Sequence, residues 1–208
     1  MTAASTINYY NTNASAFYQQ TVNVDMSPLY QRFLTHMPNG GHILDAGCGS
    51  GRDAHAFLAQ GYQVTAFDAS EALARKASSL LGQNVRCCRF DQIAEIGVFD
   101  GVWACASLLH VGTHELPAAV ATLVRALRPG GVFYASFKQG DGERIDPHGR
   151  HFTNLTRESL QHLVDHTAGL TLLEAWETRD QRPDRKDESW WNFIARKDEP
   201  AASQTEAL

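Results

Sequence analysis

With 208 residues, the chain has the length of one α/β domain with a sizeable core. Its formal net charge of −5 and its pI near 6.0 argue against electrostatic capture of nucleic acid. No apolar run approaches the roughly 20 residues of a membrane span, and the polar N-terminus lacks the pattern of a secretion signal. We therefore expect a single cytoplasmic domain, monomeric or homodimeric, without a membrane or nucleic-acid partner.

Residues 8–37 are expected to form two helices ahead of the first strand. Asn11 or Asn13 is placed to cap the first helix, and Ser27-Pro28 to begin the second. The leading segment is rich in aromatic residues, which either pack the helix onto the sheet or cover a ligand. These aromatic residues are Tyr9, Tyr10, Phe17 and Tyr18.

Residues 42–51 predict a buried strand, a tight turn and the start of a helix. Glycine at Gly47, Gly49 and Gly51 permits positive φ and lets a ligand approach the backbone. The G-x-G-x-G spacing differs from the G-x-G-x-x-G of dinucleotide sites, which disfavours an oxidoreductase. Asp45, just before the first glycine, suits an ammonium group better than a diphosphate.

Helices and strands alternate after this turn, and two strands without an intervening helix end the pattern. This order predicts a mainly parallel sheet with one antiparallel strand near its edge and helices on both faces. A polar loop over 138–154 is a second candidate lid, and 197–208 is expected to fray. Helices are predicted over 52–60, 71–81, 113–127 and 156–166, and strands over 62–67, 85–90, 99–106, 132–137, 170–177 and 189–196.

The segment ILDAGCGSGRD, with its D-x-G-x-G-x-G pattern, resembles motif I of the class I S-adenosylmethionine (SAM)-dependent methyltransferases. RALRPGGVFYASF resembles the helix–PGG–strand element of the same family. The resemblance spans about residues 43–196 and implies a Rossmann-like sheet of order 3-2-1-4-5-7-6 with strand 7 antiparallel. Residues 1–37 would then be a helical lid and 38–196 the catalytic core.

The resemblance also implies an activity: methyl transfer from SAM to a small molecule, with S-adenosylhomocysteine as the product. Gly-Arg-Asp at 51–53 resembles the tellurite-resistance-type methyltransferases, so a detoxifying enzyme of that type is one alternative. A SAM-binding regulator without catalysis is another.

Several residues take cofactor roles from the resemblance. Asp68 is placed like the acid that accepts both ribose hydroxyls, and Asp91 like the acid that accepts the adenine amino group. Arg52 approaches the methionine carboxylate or forms an exposed ion pair with Asp53. The remaining expected contacts are Tyr10, Asp45, Ala46, Gly47, Gly49, Gly51, Ala69, Gln92, Ile93, Ala106 and Ser107.

His110 is the candidate catalytic residue, because the resemblance places the departing methyl group beside the end of the fourth strand. Its ordinary pKa suits orientation or deprotonation of a nucleophile, but a role in positioning the loop or contacting SAM is favoured. His110 and His114 have i, i+4 spacing, yet Gly112 and Pro117 disfavour a helix there, so no metal is predicted.

The acceptor is expected to lie among the aromatic leader, the 138–152 segment, Arg182 and Trp190. Four polar residues of that segment either suit an anionic acceptor or only keep the loop soluble, and the second interpretation is favoured. They are Lys138, Arg144, Arg150 and His151. The four cysteines are expected to be free thiols.

Overall fold

The computed structural model describes residues 2–182 and 185–200. Its helices are α1 (Thr2–Thr21), α2 (Ser27–Leu34), α3 (Arg52–Ala59), α4 (Glu71–Leu81), α5 (Leu116–Ala126) and α6 (Arg157–Asp165). Its strands are β1 (His42–Ala46), β2 (Gln63–Asp68), β3 (Arg86–Cys87), β4 (Phe99–Ala104), β5 (Leu127–Lys138), β6 (Gly142–Ile145), β7 (His151–Asn154), β8 (Leu170–Arg179) and β9 (Ser189–Lys197). Short 3₁₀ turns cover Phe90–Gln92 and Leu108–His110.

The main sheet has the order β3-β2-β1-β4-β5-β9-β8. Strands β1 to β5 pair in parallel, and β9 pairs antiparallel with both β5 and β8. Strands β6 and β7 form a separate antiparallel ribbon. With the ribbon set aside, the predicted order 3-2-1-4-5-7-6 and the antiparallel seventh strand are confirmed.

Successive side chains of the central strands enter cores on opposite faces of the sheet, as the period of a strand requires. Leu44 and Val102 belong to the core beneath α5 and α6. Ile43 and Trp103 belong to the core beneath α2, α3 and α4. The sheet is thus covered on both faces, and the candidate site lies at the carboxyl ends of its parallel strands.

The leading helix differs from its prediction. Helix α1 already begins at Thr2, so Asn11 lies inside it rather than at its cap. The Oδ1 atom of Asn11 accepts hydrogen bonds from Ser70 Oγ (2.8 Å) and from the Ala72 backbone N–H (3.2 Å). Asn11 therefore caps the N-terminus of α4, a contact between residues about 60 positions apart that local capping rules do not predict.

Three other predictions need correction. The third strand is only Arg86–Cys87, because the chain turns into a 3₁₀ helix at Phe90. The fourth strand ends at Ala104. The segment predicted as a polar loop and candidate lid, 138–154, contains the β6–β7 ribbon. Its strands are four residues each, too short to show a clear alternation of apolar and polar residues.

Candidate active site

The glycine turn after β1 uses its glycines for the predicted physical reasons. Gly47, Gly49 and Gly51 have φ values of 80°, 56° and 80°. A Cβ added at Gly47 would lie 2.6 Å from the Cβ of Ser107, and one at Gly51 would lie 3.0 Å from the Cβ of Ala77. The turn therefore needs glycine both for its backbone conformation and for its close neighbours.

Two carboxylates, the buried Asp45 and the half-buried Asp68, hold this turn in place. Asp45 Oδ2 accepts a hydrogen bond from the Ala54 N–H of α3 (3.1 Å). Asp68, at the end of β2, accepts hydrogen bonds from the Gly49 and Ser70 N–H groups, both at 2.8 Å. Burial raises the pKa of both carboxyls. Asp68 thus joins the glycine turn to the loop before α4, in addition to any contact with a ligand.

Arg52 and Asp53 form a buried network rather than the exposed ion pair that one interpretation expected. Arg52 donates from Nε (2.6 Å) and Nη2 (3.0 Å) to the carboxylate of Asp53, and the two side chains are 18% and 8% exposed. Tyr30 Oη and Trp103 Nε1 donate to the same carboxylate. Burial alone would raise the pKa of Asp53, but these neighbours outweigh it and the pKa is lowered.

Two cavities meet above the glycine turn. The larger cavity, about 600 Å³, lies at the ends of β2 and β3 and is lined by Asp68, Ala69 and Asp91, among others. The smaller cavity, about 160 Å³, lies at the ends of β4 and β5 and is lined by Arg52, Lys138 and Arg150, among others. Both cavities are bounded by Tyr10, Phe17, Gly47, Gly49, Ala106 and His110.

The structure separates the residues expected to bind the cofactor into two groups. The first group lines one or both cavities and comprises Tyr10, Gly47, Gly49, Arg52, Asp68, Ala69, Asp91, Ala106 and Ser107. The second group lies outside the lining of both cavities and comprises Asp45, Ala46, Gly51, Gln92 and Ile93. Ala46 and Ile93 are buried in the core, and Gln92 turns back to accept the Arg89 N–H (2.9 Å).

His110 is held in one tautomer by its two neighbours. Its Nδ1 lies 2.6 Å from the carbonyl oxygen of His151. Because a carbonyl only accepts, Nδ1 carries the proton and Nε2 has the free lone pair. Tyr10 Oη lies 2.8 Å from Nε2 and is the donor. Burial raises the pKa of Tyr10 to about 12, although Arg150 opposes the rise, so the phenol stays protonated.

Burial also lowers the pKa of His110 to about 4. The unfolded chain protonates this histidine near pH 6.5, whereas the folded protein keeps it neutral down to about pH 4. Between these values the unfolded state binds more protons, so stability falls as the pH falls. We expect His110→Gln to lessen this loss between pH 6.5 and 4 by up to about 3 kcal/mol, measured by urea unfolding at several pH values. The exposed His166→Gln is the control; equal pH slopes in the wild type and the His110 variant would contradict the assignment.

Helix α1 lies across the junction of the cavities and is held at both sides. Ser5 Oγ donates to the carbonyl of Gly149 (2.9 Å), and Thr6 Oγ1 accepts from the His151 N–H (2.9 Å). On the other side, Asn11 makes the α4 contacts described above, and Lys76 Nζ lies 5.4 Å from the ring centre of Tyr18. Helix α1 therefore bridges α4 and the β6–β7 ribbon.

Some features of the site carry no sequence signal. Ala106, just beyond β4, has a φ of 51°, a conformation that is uncommon for a residue with a Cβ. Its N–H donates to Ser136 Oγ on β5 (2.8 Å). Cys105 and Ser136 both line the smaller cavity, and they face each other there only because β4 and β5 are neighbours in the sheet.

Two further observations concern residues 2–182 and 185–200. No helix in these ranges has the length and apolar character needed to cross a membrane. Nor do three histidine, cysteine, aspartate or glutamate side chains group there as ligands of a metal ion would.

Comparison with known proteins finds similarity to methyltransferases over part of the chain. Residues 43–131 match the family model of a methyltransferase domain. The chain is similar to the O-methyltransferase resE of Aspergillus sclerotiorum, with 32% identity over 100 residues, 44% of this chain and 37% of that protein. It is also similar to malonyl-(acyl-carrier protein) O-methyltransferase of Erwinia pyrifoliae, with 32% identity over 122 residues, 55% of this chain and 45% of that protein. The matched regions span less than half the length of these relatives.

Among solved structures, the fold is similar to that of 1,6-didemethyltoxoflavin-N1-methyltransferase from Burkholderia thailandensis, with a TM-score of 0.76 and 23% identity. The likeness covers 95% of this chain and 87% of that one, which was solved with 1,6-didemethyltoxoflavin and S-adenosylhomocysteine bound. The match over residues 43–131 and the similarity of fold therefore support the resemblance to the class I SAM-dependent methyltransferases. These comparisons support the resemblance and the cofactor that it implies; the tellurite-resistance-like subtype stays a prediction.

Proposed function

We propose that this protein transfers a methyl group from SAM to a small-molecule acceptor. The observation that carries the proposal is the meeting of the two cavities at Tyr10 and His110, directly above the glycine turn. A methyl transferase must hold two molecules with their reacting atoms in line and little water between them. One cavity for each molecule, with a shared boundary, meets that need.

SAM takes the larger cavity in this proposal. Asp68 faces it at the end of β2 and accepts the ribose hydroxyls, while the exposed carboxylate of Asp91, paired with Arg89, lies where the adenine amino group would be bound. The methionine end passes over Gly47 and Gly49 toward Arg52. Asp45 acts from beneath the turn, through its hydrogen bond to α3, rather than by contact.

The acceptor takes the smaller cavity. Its nucleophilic atom forms a bond to the methyl carbon as the carbon–sulfur bond breaks, and that electron pair stays on sulfur, giving S-adenosylhomocysteine. The acceptor loses a proton to a base or to water. Charge is dispersed in this step, so alignment and exclusion of water contribute more than covalent help.

His110 serves this reaction chiefly by positioning Tyr10 in our proposal. A histidine with a pKa near 4 is a weak base at neutral pH. Its Nε2 lone pair is also occupied by the Tyr10 hydroxyl. His110 therefore holds Tyr10, and with it α1, over the junction of the cavities. It becomes a proton acceptor only when the acceptor displaces that hydroxyl.

SAM binding is tested most directly at Asp68. Asp68→Ala should weaken SAM binding tenfold or more, since hydrogen bonds to a charged acceptor contribute ~1.5–3 kcal/mol each. Calorimetric titration measures this, with circular dichroism to show that the fold is kept. Asp165→Ala, an exposed aspartate on α6, is the control with the same chemical change. Unchanged affinity in Asp68→Ala would remove Asp68 from the cofactor site, and NAD should show no comparable binding to the wild type.

Turnover is tested by incubating the protein with methyl-labelled SAM and fractions of a metabolite extract. Release of S-adenosylhomocysteine together with a labelled small product is expected. Tight SAM binding without turnover in any fraction would contradict the enzyme and support a regulator.

A further inference from the structure

The smaller cavity is basic although the chain as a whole is acidic. Six cationic residues line it, namely Arg52, Lys138, Arg150, Arg179, Arg182 and Arg185, against the two acids Asp53 and Asp180. The larger cavity shows the opposite balance, with Arg89 and Arg125 against Asp68, Asp91 and Glu115. The formal net charge of the chain is −5. Positive charge is therefore concentrated in the acceptor cavity and does not follow from composition.

The two least exposed of these cations are not ordinary surface residues. The side chains of Lys138 and Arg150 are 11% and 12% exposed. Their ion-pair partners, Glu188 and Asp146, stand outside the cavity lining. Burying charge is costly even when it is paired, so solubility does not explain this placement. Arg144, by contrast, is exposed and outside the lining.

Arg150 has donors to spare for a ligand. It uses Nε (2.8 Å) and Nη2 (2.7 Å) on the same Asp146 oxygen, and it also hydrogen-bonds the Tyr10 hydroxyl. A guanidinium has five N–H donors in all, so two remain. Lys138 uses one ammonium donor on Glu188 (2.5 Å) out of three. Both side chains are thus pre-oriented by acids behind them while keeping donors that can face the cavity.

Flat aromatic surfaces accompany these cations. The buried ring of Phe152 lies 5.1 Å from Lys138 Nζ and 5.2 Å from Arg150 Cζ. The Trp190 ring centre lies 5.6 Å from Lys138 Nζ. Tyr10 and Phe17 of α1 line the same cavity. Aromatic faces favour a planar ligand, and the cations among them favour one that carries negative charge.

From this arrangement we propose that the methyl acceptor is a planar anion, a ring bearing an acidic group such as a carboxylate. The acidic group binds Lys138 and Arg150, the ring lies against Phe152 and Trp190, and the nucleophilic atom on the same ring reaches the junction at Tyr10 and His110. This inference rests on the proposed methyltransferase function and names the class of its acceptor. In the transfer, the oxygen or nitrogen of a hydroxyl or N–H group on the ring bonds to the methyl carbon of SAM, and the carbon–sulfur bond breaks. The proton of that group passes to water or to His110.

The test uses 4-hydroxybenzoate and its uncharged isostere 4-hydroxybenzamide as probes, titrated calorimetrically into the full chain saturated with S-adenosylhomocysteine. We expect the benzoate to bind at least tenfold more tightly than the amide. Lys138→Gln and Arg150→Gln should each weaken benzoate binding by at least fivefold, with S-adenosylhomocysteine affinity unchanged within about twofold. Arg144→Gln, on the same ribbon and beside the same Phe152 ring, is the matched control and should bind as the wild type does.

The contrary results are distinct. Equal affinity for the amide, or no detectable benzoate binding to a protein that binds S-adenosylhomocysteine, would overturn the planar anion. Equal losses of benzoate affinity in Arg144→Gln and Arg150→Gln would show that general surface charge, rather than the cavity, determines binding. Failure of the wild type to bind S-adenosylhomocysteine would instead count against the proposed function itself.

Discussion

A chain lacking residues 1–21 is expected to stay folded and to lose methyl transfer. Helix α1 adds little to the core, since most of its described side chains are exposed or half-buried and Ala14 is its buried apolar residue. It does, however, supply Tyr10 and Phe17 to the walls of both cavities. Without it the strand ends are open to water, and alignment over the glycine turn is lost. We expect kcat/KM to fall more than about 100-fold.

Turnover of labelled SAM measures this loss, and circular dichroism with urea unfolding shows whether the sheet is intact. The full-length Gln19→Ala variant, changed at an exposed position of α1, should keep its activity. A truncated protein that still methylates at a comparable rate would reduce α1 to a packing element. A truncated protein that does not fold would show that α1 belongs to the core.

Replacing Asp53 with alanine should cause the largest loss of stability at the site. The change leaves the buried guanidinium of Arg52 without its partner, and it also removes the acceptor of Tyr30 Oη and Trp103 Nε1. Breaking a buried ion pair from one side costs about 3–5 kcal/mol, and each stranded donor adds to this. We expect a fall of that size in the free energy of unfolding, measured in urea.

Asp91→Ala is the matched control, because it also removes an aspartate paired with an arginine. The Arg89–Asp91 pair is exposed, with side chains 55% and 62% accessible, and exposed pairs contribute at most about 1 kcal/mol. A loss in Asp53→Ala as small as that in Asp91→Ala would mean that water reaches Arg52 and replaces its partner.

The glycine turn could be predicted because its causes are local. Gly47, Gly49 and Gly51 are glycines because the turn needs positive φ and has close neighbours, and the strand before the turn is apolar. The sheet order followed from the alternation of elements together with the family resemblance, which the fold confirms. Asp68 was placed at a strand end by the same logic, since parallel strands direct their carboxyl ends to one edge.

The rest depends on contacts between distant parts of the chain. Asp53 is joined to Tyr30 and Trp103, which lie 23 and 50 residues away, so its network has no sequence pattern. The sequence predicts Asn11 or Asn13 as the cap of the first helix, but Asn11 caps α4, and only the docking of α1 makes that possible. The sequence alone favours Lys138 and Arg150 as solubility residues of a loop. In the structure, β5 and the β6–β7 ribbon bring them beside Phe152.

The position of β9 has a consequence for folding of the chain during its synthesis on the ribosome. Strand β9 lies between β5 and β8, yet it follows every other strand of the described sheet along the chain. While it is still being synthesised, β5 has no partner on that side, and its buried residues Phe133 and Phe137 border an open edge. Unpaired apolar edges promote association between chains. We therefore expect the nascent chain to be most prone to association before β9 emerges, and β9 then pairs with β5 on one side and β8 on the other.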